Sequence, residues 1–168
     1  EQLRNDVAYA NQRVVIGAAC GGIVLAMAGG THHAVEDLAI MRNMPNMTVV
    51  VPADARQTWH AAMQTEQLDG PSYIRLGGKF EEPPVTDIAG DGFRIGRADL
   101  LRPGGDVTVI ACGCLVAPAI AAADALAKTG IGVRVLNMHT IKPLDRDAVL
   151  AAAAETGAIV TAEEHRAT

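Results

Sequence analysis

Between residues 107 and 162 the chain alternates three short apolar runs with two Ala-rich stretches of helical length. The series reads 107–111, 116–128, 133–138, 145–156 and 158–162, with the first, third and fifth segments rich in Val and Ile. Strands joined by connections of a dozen residues pair in parallel, because a tight turn can only reverse the chain. The pattern therefore predicts a β-α-β-α-β unit with right-handed crossovers. Its punctuation agrees: Gly130 suits the residue just past a helix, and Asp145 suits a helix N-cap. The composition fits the same packing. Of 168 residues 49% are hydrophobic but only 3% aromatic, and small residues let helices sit close on a sheet of branched side chains.

Upstream lies a second region of similar texture. Residues 1–12 read as a helix, 14–19 as a buried strand, and 48–51 and 72–76 as further strands. The pairs Gly21-Gly22 and Gly29-Gly30 bracket an apolar loop. A helix is expected over 32–42, where Val35, Leu38 and Met41 share a face and Pro45 provides the stop. Another runs from 55 to about 67, with Asp54 and Gln57 spaced as a capping box. Residues 79–92 lack periodicity and carry Glu81-Glu82-Pro83-Pro84, as a linker does. Beyond it, 93–101 and 106–111 flank Pro103-Gly104-Gly105, which predicts a hairpin. The fold class expected is α/β: two consecutive three-layer units with mostly parallel sheets, over 1–78 and 93–168.

Charge and cysteine usage exclude several function classes. A net charge of −5 without a basic cluster disfavours nucleic acid or an anionic membrane as partner. Residues 14–35 contain no Asp, Glu, Lys or Arg, yet five glycines and two histidines interrupt them, so a strand and a glycine-rich loop fit better than a membrane span. Three cysteines without framework spacing suit a reducing, cytoplasmic setting. The chain starts at Glu1 with no Met and no cleavable leader, so it reads as a piece of a longer protein.

The chemistry-bearing candidates are few. His32 and His33 fall on the expected first helical turn, where free N–H groups and a partial positive charge keep an imidazole neutral and suit it to a substrate oxygen. His32, His33 and Glu36 share a helical face, but no second cluster supports a metal site. Arg75 ends a strand before Gly77-Gly78, where a guanidinium can take a phosphate through two parallel hydrogen bonds; a surface or interface arginine paired with a nearby carboxylate is the alternative. Cys112-Gly113-Cys114 reads as a tight turn with two buried thiols rather than a redox pair. Gly90-Asp91-Gly92 reads as a turn.

Taken in order, several motifs resemble one family. Thr31-His32-His33 with Glu36-Asp37, Met44-Pro45-Asn46-Met47-Thr48, Pro52-Ala53-Asp54 and Gly70-Pro71-Ser72-Tyr73-Ile74-Arg75 resemble the second half of the pyrimidine-binding domain of transketolase-type, thiamine-diphosphate-dependent enzymes. Gly105-Asp106-Val107-Thr108-Val109-Ile110, Thr140-Ile141-Lys142-Pro143-Leu144-Asp145 and Val160-Thr161-Ala162-Glu163-Glu164-His165 resemble the family's C-terminal domain. The resemblance implies that the first unit is an incomplete thiamine-diphosphate-binding (pyrimidine) fold. It places cofactor-binding residues, including the activating glutamate, upstream of Glu1, and truncates the C-terminal domain. It implies that His32 faces sugar hydroxyls and the reactive end of the cofactor, that His33 stands where relatives often carry Gln, and that Arg75 holds a sugar phosphate.

Two departures accompany it. Gly30 stands where relatives usually have Pro, and Ala28 where many single-chain transketolases place a carboxylate for a substrate hydroxyl. The implied function is that of the C-terminal part of a transketolase-like transferase, moving a two-carbon ketol unit between sugar phosphates. Thiamine diphosphate and Mg²⁺ belong to the complete enzyme, with the Mg²⁺ site on an N-terminal subunit or domain, and the assembly is a homodimer or heterotetramer. Alternatives that stay open are the β subunit of a 2-oxo acid dehydrogenase, a deoxyxylulose-phosphate synthase relative, and a non-catalytic assembly module.

Overall fold

Three branched segments of the first half build one sheet. Strands β1 (Val15–Ala18), β2 (Thr48–Val50) and β3 (Ser72–Arg75) run parallel, with β3 paired to both neighbours. The computed structural model describes residues 1–78, 83–85 and 92–166. Most of the expected linker, with Gly90 and Asp91 of the Gly-Asp-Gly triplet, lies outside the described residues. β3 is buried along its whole length. β1 is not the buried strand its apolar run predicts: it lies at the sheet edge, Val14 and Val15 are 38% and 47% exposed, and only Ile16 and Ala18 turn toward the core.

Alternation along the strands sends side chains to two faces. Val49 and Tyr73 pack with Leu38 of helix α1 (Asp37–Asn43) and with Ala8 of a π-helical segment, Leu3–Tyr9. Val50 and Ile74 pack on the other face with Ala61 of helix α2 (Ala55–Thr65) and with Phe93. The first unit is therefore three layers.

The second sheet has the order β4 (Asp99–Arg102), β6 (Val133–Asn137), β5 (Val107–Ala111), β8 (Ile159–Ala162). β5 pairs in parallel with both β6 and β8, as the crossover pattern requires. Helix α3 (Val116–Ala127) packs Val116, Ala119 and Ala123 against Val133 and Val135. Helix α4 (Arg146–Glu155) starts at Asp145, whose side chain accepts from the Ala148 amide at 3.0 Å. The expected hairpin is absent. β4 pairs antiparallel with β6, because both edges of β5 are taken by parallel neighbours. The turn at Gly104 passes so close to the backbone of Gly132–Arg134 that any side chain there would collide with it.

One strand joins the two sheets. β7 (Thr140–Lys142) follows β6 but pairs antiparallel with β2 of the first sheet. Side chains reinforce the junction. Asp54 caps α2 by accepting from the Gln57 amide at 2.8 Å, as the capping box predicts. Gln57 reaches back to the Ala53 amide rather than the cap residue, since its carboxamide also bridges to Asn137 (2.9 Å) and Asp99 (2.8 Å) of the second sheet. His139 is fully buried and stacks on Phe93, with ring centres 4.1 Å apart.

Candidate functional site

In open α/β sheets the ligand crevice forms beyond the carboxyl ends of parallel strands. Here β1 and β3 end side by side at Ala18 and Arg75. The chain leaves β1 through Cys20 and Gly22, both at positive φ, and enters a loop closed at its neck by paired bonds between Gly22 and Ala34, each 2.9 Å. Two short 3-10 turns fill the loop, Ala26–Ala28 and Gly30–His32. His32 is exposed, its Nδ1 3.0 Å from the Thr31 hydroxyl. His33 is extended and half-buried, and its Nε2 is buried without a hydrogen-bond partner among the described residues.

The expectation of a helix starting at His32 is corrected by this geometry. α1 begins at Asp37, five residues later. The Gly22–Ala34 pairing and the extended backbone of His33 keep 33–34 out of a helix. Neither imidazole sits on the first turn of α1. What holds His32 in place is a tied loop.

Arg75 also differs from its expected role. It is 5% exposed, and its Nε lies 3.0 Å from Asp37 Oδ2, at ion-pair distance but without hydrogen-bond alignment. Its Nη2 donates to the Ala34 carbonyl at 2.9 Å and to the Glu164 carbonyl at 2.8 Å. The Tyr73 hydroxyl donates to the same Asp37 oxygen at 2.8 Å. Burial first, then the bond to Asp37 and its charge, push the Tyr73 hydroxyl well above its usual value, against a smaller opposing effect of Arg75. The guanidinium expected to stand open for a phosphate is thus spent inside the protein.

The second sheet reaches the same edge. Cys112 directly follows β5, buried, its thiol pushed up to about 12 by burial and by the nearby Glu163 charge. Gly113 turns at φ 57, and Cys114 donates to Glu164 Oε2 at 2.9 Å. That carboxylate sits directly over Gly22, where any side chain would strike it. None of the three cysteines forms a disulfide. Glu164 and His165 figured in the sequence only as part of a motif and Arg166 not at all, and their contacts with the loop have no local signature. A cavity of about 250 Å³ lies beside this edge, lined by Arg42, Cys112, Met138, Ile141 and Glu163 among others, and does not include His32 or Arg75. Among the described residues no group of three or more His, Cys, Asp or Glu side chains is placed to hold a metal ion, and no helix is long and apolar enough to cross a membrane.

Comparison with known proteins matches two adjoining family models in the order of the two sheets. The transketolase pyrimidine-binding domain model matches residues 1–78, and the transketolase C-terminal domain model matches residues 96–168. The chain is 49% identical over 164 residues to the 6-deoxy-6-sulfo-D-fructose transketolase subunit SqwH of Clostridium sp. (strain MSTE9), covering 97% of this chain and 50% of that protein. It is 40% identical over 165 residues to one subunit of the apulose-4-phosphate transketolase of Phocaeicola vulgatus, covering 98% and 53%. A solved split-gene transketolase, described as an inactive β4 tetramer, superposes with a TM-score of 0.88 at 42% identity over 98% of this chain and 52% of that one. The chain spans about half the length of these relatives.

Proposed function

Because this chain belongs to the transketolase family, we propose that it is the C-terminal part of a thiamine-diphosphate-dependent enzyme that transfers a two-carbon ketol unit between sugar phosphates. Its complement is an N-terminal subunit or domain carrying the diphosphate and Mg²⁺ site, in a homodimeric or heterotetrameric assembly in the cytoplasm. Three cysteines, none of them in a disulfide, support the reducing compartment. Subunits are named among the relatives, which supports a divided enzyme. The sugars in two of those names bear a phosphate or a sulfonate, which supports an anionic sugar as substrate.

The residues present do not by themselves fit the cofactor. Its aminopyrimidine needs a free carboxylate close to the loop. Of those at this edge, Asp37 is mostly buried under Arg75 and Tyr73, and Glu164 accepts from Cys114. Glu36 is exposed and paired with Arg166, and Glu163 is exposed beside a cavity that includes neither His32 nor Arg75. No step is therefore routed through the cofactor on this chain. The chain's own share is geometric. Its loop presents an imidazole that accepts or donates a proton at a sugar hydroxyl, with His33 beside it, while the buried pair below keeps the loop from shifting.

The observation that carries this reading is the position of His32: exposed, on a loop tied at Gly22 and Ala34, over the carboxyl edge of parallel strands. In the assembled enzyme, His32→Ala is expected to lower kcat by about 10²–10⁴-fold, the range for loss of a positioned proton-transfer group, with the mass of the complex unchanged. Full activity in that variant removes His32 from the reaction, and a changed mass with activity lost in proportion favours an assembly role. Ketol transfer by these 168 residues alone would contradict the divided-site reading.

A further inference from the structure

We propose that residues Glu164–Arg166 act as a clamp that positions the His32 loop, with His165 as its positioning residue. This rests on the reading of His32 given above. Three consecutive residues of the second unit each hold a different point of the loop and of the helix behind it. The Glu164 carbonyl accepts from Arg75 Nη2, which also holds the Ala34 carbonyl at the neck. The Glu164 carboxylate covers Gly22, the other side of the neck, and is itself fixed by Cys114. His165 Nε2 accepts from the Ala39 amide at 3.2 Å, in the first turn of α1. The Arg166 amide donates to the Val35 carbonyl at 3.0 Å, and its Nε lies 2.9 Å from Glu36 Oε1.

The chemistry of His165 fixes its form. Nε2 must be unprotonated to accept from an amide, so the ring proton sits on Nδ1, 3.1 Å from the Arg166 carbonyl that accepts it. One neutral imidazole thereby links the first turn of α1 to the clamp's own backbone. A loop with a glycine at each of positions 29 and 30 has little stiffness of its own, so its position is set by what grips the neck. In this arrangement the second unit contributes to the reaction without touching substrate: it decides where the imidazole of His32 stands.

Glutamine can offer an acceptor oxygen where Nε2 lies and alanine cannot, which separates positioning from bulk. The variants His165→Ala and His165→Gln are compared in the full polypeptide with its complementary subunit, by amide hydrogen exchange and by ketol-transfer kinetics. His165→Ala is expected to speed exchange at the Gly22, Ala34 and Ala39 amides on the order of fivefold to tenfold, the loss of one neutral hydrogen bond. The Val109 amide in β5 should stay protected, which excludes general unfolding. kcat should fall by at least that factor with KM changed little, and His165→Gln should restore most of both. Unchanged exchange in His165→Ala overturns the clamp. Faster exchange with undiminished kcat overturns the positioning role. A wild-type assembly with no ketol transfer refutes the reading of function instead, and leaves the exchange result to decide the clamp alone.

Discussion

Asp37 receives both the Tyr73 hydroxyl and the Arg75 guanidinium on one oxygen, in a site where the two charged side chains are 13% and 5% exposed. At that depth the loss of one partner costs more than the pair contributes, because the remaining charge stays buried. Arg75→Ala should therefore lower unfolding free energy by about 3–5 kcal/mol, read from the urea midpoint at neutral pH. Selective loss of affinity for phosphorylated sugars with unchanged stability would restore the phosphate role instead. Cys112 gives a pH signature at the same edge. Its native thiol titrates near 12 against an ordinary 9.0, with burial the larger cause. The folded state thus holds a proton that the unfolded state has released, so this contribution is complete below pH 9 and is lost as pH rises toward 12. Urea midpoints measured from pH 8 to pH 10 should fall less steeply in Cys112→Ala than in the parent chain. The strand carrying Tyr73 and Arg75 and the acidic pair Glu36-Asp37 were legible in the sequence. Their pairing was not. Asp37 and Arg75 are 38 positions apart, and only the loop's return across the sheet edge brings them together.

Elements whose ends are fixed by their own side chains were the most readable. Asp54 and Asp145 cap α2 and α4 where the spacing of acceptor and first turn predicts. The stretch at 32–36 misled because apolar spacing reports which face of a helix is buried and says little about where the helix starts. Leu38 keeps its place in the core while the histidines fall in a tied loop. The hairpin at 103–105 failed for a non-local reason, since β6, thirty residues later, takes the edge that the turn would have used. Asp145 does more than cap. Burial pushes its carboxyl up, but the Ala98 and Ala148 amides together with the Arg97 charge outweigh that, and it titrates below its ordinary 3.8. The sign follows: this stabilisation is present above pH 3.8 and disappears as pH falls through the lower native value. Asp145→Ala should cost about 1–2 kcal/mol at pH 7. Asp145→Asn, which keeps a cap acceptor without the charge, should cost less and flatten the acid limb of a stability profile taken by chemical denaturation.

At the scale of the whole molecule the sheets are separate, but the interior is shared. The first sheet takes β7 from the second half of the chain, and its α1 face packs against Cys112 and Ile141. Its α2 face closes over Phe93 and Ile95, and Ala53 of the first half sits in the core beneath α3. Lys142 adds bonds from its ammonium to the Arg42 and Met44 carbonyls, with its charge partly desolvated there. A chain cut after residue 78 would lose the β2 edge partner and the cover of Val50 and Ile74 together. Each fully exposed Val or Ile side chain forfeits about 1.5–3 kcal/mol, against a net stability of about 5–15 kcal/mol for a whole domain. Residues 1–78 expressed alone should therefore lack a cooperative unfolding transition, seen by far-UV circular dichroism against urea. The 168-residue chain should unfold in a single transition that coincides for Trp59 fluorescence, which reports on α2, and for exchange of β5 amides, which reports on the second sheet. Two separated transitions would mean that β7 and the shared core couple the sheets weakly, and the clamp at Glu164–Arg166 would then have no rigid body behind it.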